Sequence, residues 1–153
     1  MRKVTFVCTG NTCRSVMAEY LFKRMLKDAE IDDIEVGSAG TAAMPHYSIF
    51  GELAEVFEEN GLEYTDHTPT MINRKILKES DLLLVMTKNH KKYINKWFPG
   101  YEEKVYLLTE FSGAGKDDVK DPIGQGIEAY REAYEEIKEN LEKIIEKLTD
   151  EKQ

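Results

Sequence analysis

Short apolar runs recur along the chain at residues 4–8 (VTFVC), 34–38 (IEVGS), 82–86 (LLLVM) and 104–108 (KVYLL), with helix-like stretches between them. Most of these runs are continuously apolar rather than alternating, the pattern of strands covered on both faces in a parallel sheet. The intervening segments carry helical spacing. Residues 15–27 place Met17, Leu21 and Met25 on one face, residues 49–60 end at Gly61 as a helix stop, and residues 89–97 stop before Pro99 and Gly100. Strand–helix–strand alternation predicts an α/β fold with right-handed crossovers and a parallel sheet flanked by helices.

The 153 residues suffice for one core, and no repeat, linker or low-complexity stretch divides them, so a single domain over 1–153 is expected. Residues 110–125 are rich in glycine and aspartate and have no apolar period, which predicts a long loop, a common carrier of function in small domains. Beyond it, Ile127, Tyr130, Tyr134, Ile137, Leu141, Ile144 and Leu148 recur at spacings of three and four. That stripe suits either a coiled-coil dimer or an amphipathic helix lying on the sheet. A small sheet needs its face covered, so the second is the expectation, and with it a monomer, weak dimerisation being the alternative.

The formal charge of −8 argues against nucleic acid or an anionic membrane as partner, and an anionic substrate has to be captured by local charge. No apolar run approaches the ~18 residues needed to span a bilayer. The start of the chain reads as a first strand rather than a signal peptide. With Cys8 and Cys13 the only cysteines, a disulfide scaffold is not indicated and a reducing cytoplasm is the expected compartment. His46, His67 and His90 do not complete a zinc-ligand spacing with them, so neither metal nor cofactor is expected.

Chemistry concentrates in Cys8, Thr9, Gly10, Asn11, Thr12, Cys13, Arg14 and Ser15, between the end of the first strand and the start of the first helix. Ligands of open α/β sheets bind just beyond the carboxyl ends of strands, and a helix N-terminus offers unpaired N–H groups to an anion. Gly10 is expected to free the backbone to turn, so that the loop amides converge on one dianion as a nest. A thiol beside a helix N-terminus and a cation becomes a thiolate near neutral pH, and Arg14 supplies both the cation and a planar fork for two phosphate oxygens. Ser15 offers either a hydroxyl to the sulfur or an N-cap to the helix. The alternative for Cys8 is a buried strand-end cysteine.

Transfer of a phosphoryl group to a thiolate requires a proton for the leaving group and then a base for water. Asp121 stands in the only Asp-Pro of the chain, inside the long loop, where Pro122 restricts its backbone; Asp117 and Asp118 lack that restraint. A simple turn-forming Asp-Pro is the competing reading.

These residues resemble the low-molecular-weight protein tyrosine phosphatases along nearly the whole chain. The resemblance rests on FVCTGNTCRS at 6–15, MAE at 17–19, SAGT at 38–41, SDLLLVMTKNH at 80–90 and the late Asp-Pro. It implies a four-stranded parallel sheet flanked by helices and phosphorylated proteins as substrates. It also implies Cys8 as nucleophile, Arg14 as phosphate-binding residue and Asp121 as general acid, with Asn11, Ser15, Ser38 and His67 bracing the loop. Within the family the chain is similar to the bacterial branch that includes protein-arginine phosphatases, where a threonine stands at the position of Thr12 and tyrosine-specific members carry a bulkier aliphatic residue. A hydroxyl there suits the N–H groups of a phosphoguanidinium, whereas an aliphatic wall suits an aromatic ring. Phosphoarginine is therefore the expected substrate and phosphotyrosine the alternative. Val16 departs from the family's usual proline and Ile123 from its usual aromatic residue. An arsenate reductase of the same fold would need cysteines beyond Cys13, and a phosphate carrier would not need Asp121. Cys13 is placed to trap an oxidised Cys8 as a disulfide.

Overall fold

The computed structural model describes residues 2–64 and 67–151. Strands β1 (Arg2–Cys8), β2 (Ile34–Gly40), β3 (Leu82–Val85) and β4 (Val105–Leu107) form one sheet in the order β2-β1-β3-β4. All neighbours are parallel, with Val4 opposite both Val36 and Leu82, and Leu84 opposite Tyr106. The chain leaves β1 on one side for β2 and crosses back to its other side for β3. The C-terminal end of β1 therefore opens onto the crevice where strand order reverses.

Helices α1 (Arg14–Asp28), α2 (Gly51–Glu59), α5 (Leu108–Ser112) and α6 (Ile127–Glu151) cover one face, α3 (Arg74–Glu79) and α4 (Lys88–Trp97) the other. Alternation along β1 feeds both cores: Val4 and Phe6 pack with Phe22, Phe57 and Ile137, whereas Val7 packs with Leu77, Leu83 and Ile94. Phe6 meets Phe22 edge to face at 5.6 Å. Burying each such side chain stabilises the fold by about 1.5–3 kcal/mol. The polar intruder, Thr5, is satisfied by Ser80 at 2.7 Å.

Tyr130, Tyr134, Ile137, Leu141 and Ile144 of α6 are all buried in the core that α6 shares with α1 and the sheet. The heptad-like stripe is thus consumed within the chain and leaves no seam for a coiled coil. Two segments correct the sequence reading. The stretch expected to be loop from residue 110 begins inside α5, a helix too short for periodicity to register, whose Leu108 and Phe111 pack into the core. Helix α3, capped by the Asn73 side chain on Ile76 N–H, had no sequence counterpart for the same reason. No helix among the described residues is long and apolar enough to cross a membrane.

Candidate active site

The loop of residues 8–15 leaves β1 and enters α1 directly. No backbone N–H of residues 10–16 donates to a protein acceptor among the described residues. Orphan donors at a strand end and helix N-terminus form a ready anion site. Cys8, 2 % exposed, stands at its start, and its Sγ lies 2.9 Å from Ser15 Oγ.

The loop is held open by side chains, and Asn11 is their hub. Asn11 is fully buried at φ 54, a left-handed conformation that asparagine tolerates better than most residues. Its Oδ1 accepts from Thr70 N–H at 2.9 Å, which fixes the amide's orientation. Its Nδ2 then donates to Ser15 Oγ at 2.8 Å and Ser38 Oγ at 2.9 Å. With Asn11 on one lone pair of Ser15, the Ser15 hydroxyl proton is available to donate to Cys8 Sγ once the sulfur is a thiolate. The Ser38 hydroxyl donates a hydrogen bond to Glu19 Oε1, and the other Glu19 oxygen pairs with Lys23. His67 Nε2 faces two acceptors, Asn11 O at 2.8 Å and Asn11 Oδ1 at 3.1 Å, so that nitrogen carries the proton.

Two details differ from the sequence reading. Gly10 is not the residue in the left-handed region; Asn11 is, and Gly10 instead makes room for Thr12, whose Oγ1 lies 3.3 Å from where a Gly10 Cβ would stand. Ser15 is not the N-cap: Cys13 holds that position without a capping side chain, and Ser15 sits in the first turn with its hydroxyl on the sulfur. Val16 is fully buried in the core.

Arg14 is 4 % exposed and donates through one terminal nitrogen to Val119 O at 2.9 Å, while the other stands 3.8 Å from Asp121 Oδ2. The acid loop is thereby tied to the guanidinium. Asp121 Oδ1 also accepts from Ile123 N–H at 3.0 Å, a local turn that holds the carboxylate across Pro122. Asp118 is engaged elsewhere, on Lys88 N–H at the start of α4. Cys13 is a free thiol, like Cys8, and burial and the nearby Cys8 push its ionisation well above the usual thiol range. Ile123 is exposed.

Sequence reasoning missed Gly40, Thr70, Glu19 and His90. A Cβ on Gly40 would lie 2.3 Å from Thr9 O and 2.9 Å from Asn11 N, so β2 can approach the loop only as glycine. His90 packs its ring beside the loop, with Nε2 2.8 Å from Thr9 Oγ1. An open cavity of about 530 Å³ is lined by Thr9, Arg14, His90, Tyr93 and Asp121. Glu19, within MAE, Gly40, within SAGT, and His90, within SDLLLVMTKNH, lay in segments whose pattern could have flagged them; Thr70 did not.

Fold and site together define an α/β protein with orphan amides at the β1–α1 junction and a thiol and a guanidinium at the two ends of one loop. Residues 3–153 match the family model described as low molecular weight phosphotyrosine protein phosphatase, and the chain belongs to that family. It is 37% identical over 128 residues to a Bacillus subtilis protein named protein-arginine-phosphatase, covering 84% of each chain. To a Staphylococcus haemolyticus protein named low molecular weight protein-tyrosine-phosphatase PtpB it is 38% identical over 131 residues, covering 84% of this chain and 87% of that one. The crystal structure of a YwlE mutant from Bacillus subtilis superposes with a TM-score of 0.91 at 33% identity, over 97% of this chain and 99% of that one. The protein is a low-molecular-weight protein phosphatase, acting on phosphorylated proteins.

Proposed function

We propose that the protein hydrolyses phosphoarginine in proteins through a phosphocysteine on Cys8. The observation that carries the covalent route is the hydrogen-bond chain from Asn11 through Ser15 to Cys8 Sγ, which supplies a donor to the sulfur both as nucleophile and as leaving group. The unpaired amides of residues 10–16 and the Arg14 fork bind the three phosphoryl oxygens, and a second oxygen pair forms on the guanidinium as substrate enters. Asp121 protonates the departing nitrogen and then takes a proton from the water that attacks phosphocysteine. Asn11, Ser38 and His67 act by holding the loop, not by touching the substrate. When a peroxide oxidises the Cys8 thiolate to a sulfenic acid, the Cys13 sulfur displaces the hydroxyl, lost as water, to form a disulfide that a thiol reductant reopens.

The preference for phosphoarginine rests on Thr12 and on the relatives named as arginine phosphatases. The hydroxyl accepts from a guanidinium N–H that an aryl ester does not possess. Thr12→Ile keeps β-branching and the loop backbone while removing that acceptor. We expect kcat/KM on a phosphoarginine peptide to fall about ten- to hundred-fold, and activity on the matched phosphotyrosine peptide to change by less than ten-fold. An unchanged ratio between the two substrates removes Thr12 as selector and makes phosphotyrosine the preferred reading.

A further inference from the structure

The structure assigns a role to a pair outside the loop-bracing network: we propose that Thr9 contacts the substrate through its hydroxyl and that His90 is the residue positioning it. His90 Nε2–H fills one lone pair of Thr9 Oγ1 and turns the hydroxyl proton toward a phosphoryl oxygen. The proposal rests on the reading of residues 8–15 as the phosphoryl site.

The proton positions follow from the partners. His90 sits at the third position of α4 and closes a capping box with Thr87: Thr87 Oγ1 accepts from His90 N–H at 3.2 Å, and His90 Nδ1 faces Thr87 N–H at 3.1 Å. A backbone N–H only donates, so Nδ1 accepts and bears no proton. A neutral imidazole then carries its hydrogen on Nε2, whose one partner among the described residues is Thr9 Oγ1 at 2.8 Å. The reverse direction would leave both ring nitrogens as acceptors, an imidazolate. Burial, reinforced by the Arg14 charge and opposed by Asp118 and Asp121, keeps the ring neutral, with its pKa lowered to about 4.

Thr9 is the residue next to the nucleophile, is exposed, and lines the cavity that Arg14 and Asp121 also line. With its acceptor side occupied by His90, its proton faces that cavity. The side chain of phosphoarginine offers N–H donors and, as acceptors, the phosphoryl oxygens; the latter are also the acceptors it shares with phosphotyrosine. A donor fixed at this wall therefore recognises the phosphoryl group whichever side chain bears it. Helix α4 thus reaches the phosphate site through its cap, and the histidine serves helix and site with different nitrogens.

That division makes the two roles separable. Asparagine at position 90 offers Oδ1 where Nδ1 stood and preserves the cap but not the donor to Thr9. Glutamine places an amide N–H where Nε2–H stood and preserves the donor. The measurements are kcat/KM on a phosphoarginine peptide and on an aryl phosphate, the inhibition constant of inorganic phosphate, and the melting temperature. Thr9→Val should lower kcat/KM on both substrates about ten- to hundred-fold and weaken phosphate inhibition in parallel. His90→Asn should reproduce about ten-fold of that loss without a lower melting temperature, His90→Gln should recover most of it, and His90→Asn in the Thr9→Val background should add nothing further. Wild-type phosphate inhibition in Thr9→Val overturns the proposal. So do equal losses in the asparagine and glutamine variants, or additive losses in the double variant. If the unsubstituted protein neither turns over these substrates nor is inhibited by phosphate, the underlying reading of the site fails, a result distinct from any seen only in the variants.

Discussion

The two loops that meet at Arg14 are built on opposite principles. The loop of residues 8–15 is buried and fixed from many directions: Asn11 is fully buried, and Ser38, His67 and Thr70 converge on it from β2 and the segment after α2. The loop between α5 and α6 is exposed and glycine-rich, with Gly113, Gly115, Gly124 and Gly126 all at positive φ. Few bonds tie it to the body, chiefly Val119 N–H to Met86 O, Thr109 Oγ1 to Asp117 O, and Arg14 to Val119 O. The difference follows from what each loop has to do. A pentavalent phosphoryl group needs donors already in place, because reorganisation at the moment of reaction would add to the barrier. A proton donor needs only to reach the leaving atom, and a half-exposed Asp121 is aimed by the Ile123 N–H and the Arg14 guanidinium rather than by burial.

Changes in the braced loop should therefore affect both folding and chemistry, and changes in the exposed loop chemistry alone. Cys8→Ser is expected to reduce turnover by about four orders of magnitude while phosphate still binds, because serine is not ionised at this site. Single-turnover kinetics with phosphate protection test it; residual activity above a trace would exclude covalent catalysis by Cys8. Asp121→Asn should slow peptide substrates about 10²–10⁴-fold, and an activated aryl phosphate far less, with stability unchanged within about 0.5 kcal/mol. Equal slowing for both substrates takes the acid role away from Asp121, and a large stability loss breaks the contrast between the loops.

Gly40→Ala probes the braced loop from behind. Its new Cβ would meet Thr9 O at 2.3 Å, so the loop has to move, at a cost of about 1–3 kcal/mol in stability and ten- to hundred-fold in kcat. Wild-type melting and activity would show that the loop yields after all. The last effect concerns acid and leaves activity at neutral pH untouched. His90 takes a proton near 6.5 when unfolded but only near 4 when folded, so its contribution to stability is complete above about pH 6.5 and is lost as pH falls toward 4. The loss amounts to about 3 kcal/mol and should be flattened in His90→Gln. Denaturant midpoints at pH 7 and pH 4.5 measure both, and an unchanged slope in the variant would assign the acid sensitivity to other groups.

The strands, the helices α1, α2, α4 and α6, and the placing of Cys8, Arg14 and Ser15 on one loop were legible in the sequence. Each is encoded locally: period and run length define the elements, and residues within a few positions of a strand end cannot be far from it. Asp121 stood out through Pro122, a local restraint, but its expected role came from the family resemblance, because an isolated Asp-Pro reads first as a turn. What the sequence alone could not decide was which distant groups meet that loop. Asn11 rather than Gly10 takes the left-handed turn because Thr70, His67 and Ser38, far along the chain, satisfy its amide there. Gly40 is a glycine because the Thr9 carbonyl passes within 2.3 Å of its missing Cβ, a fact of packing between distant segments. Likewise His90 reads as an ordinary helix-start residue until β3 brings α4 beside Thr9. Local pattern determines which elements form, through propensity and burial. Only the register of the parallel sheet, β1 between β2 and β3, brings the ends of separate crossovers to one crevice, and that arrangement decides which side chain holds which proton.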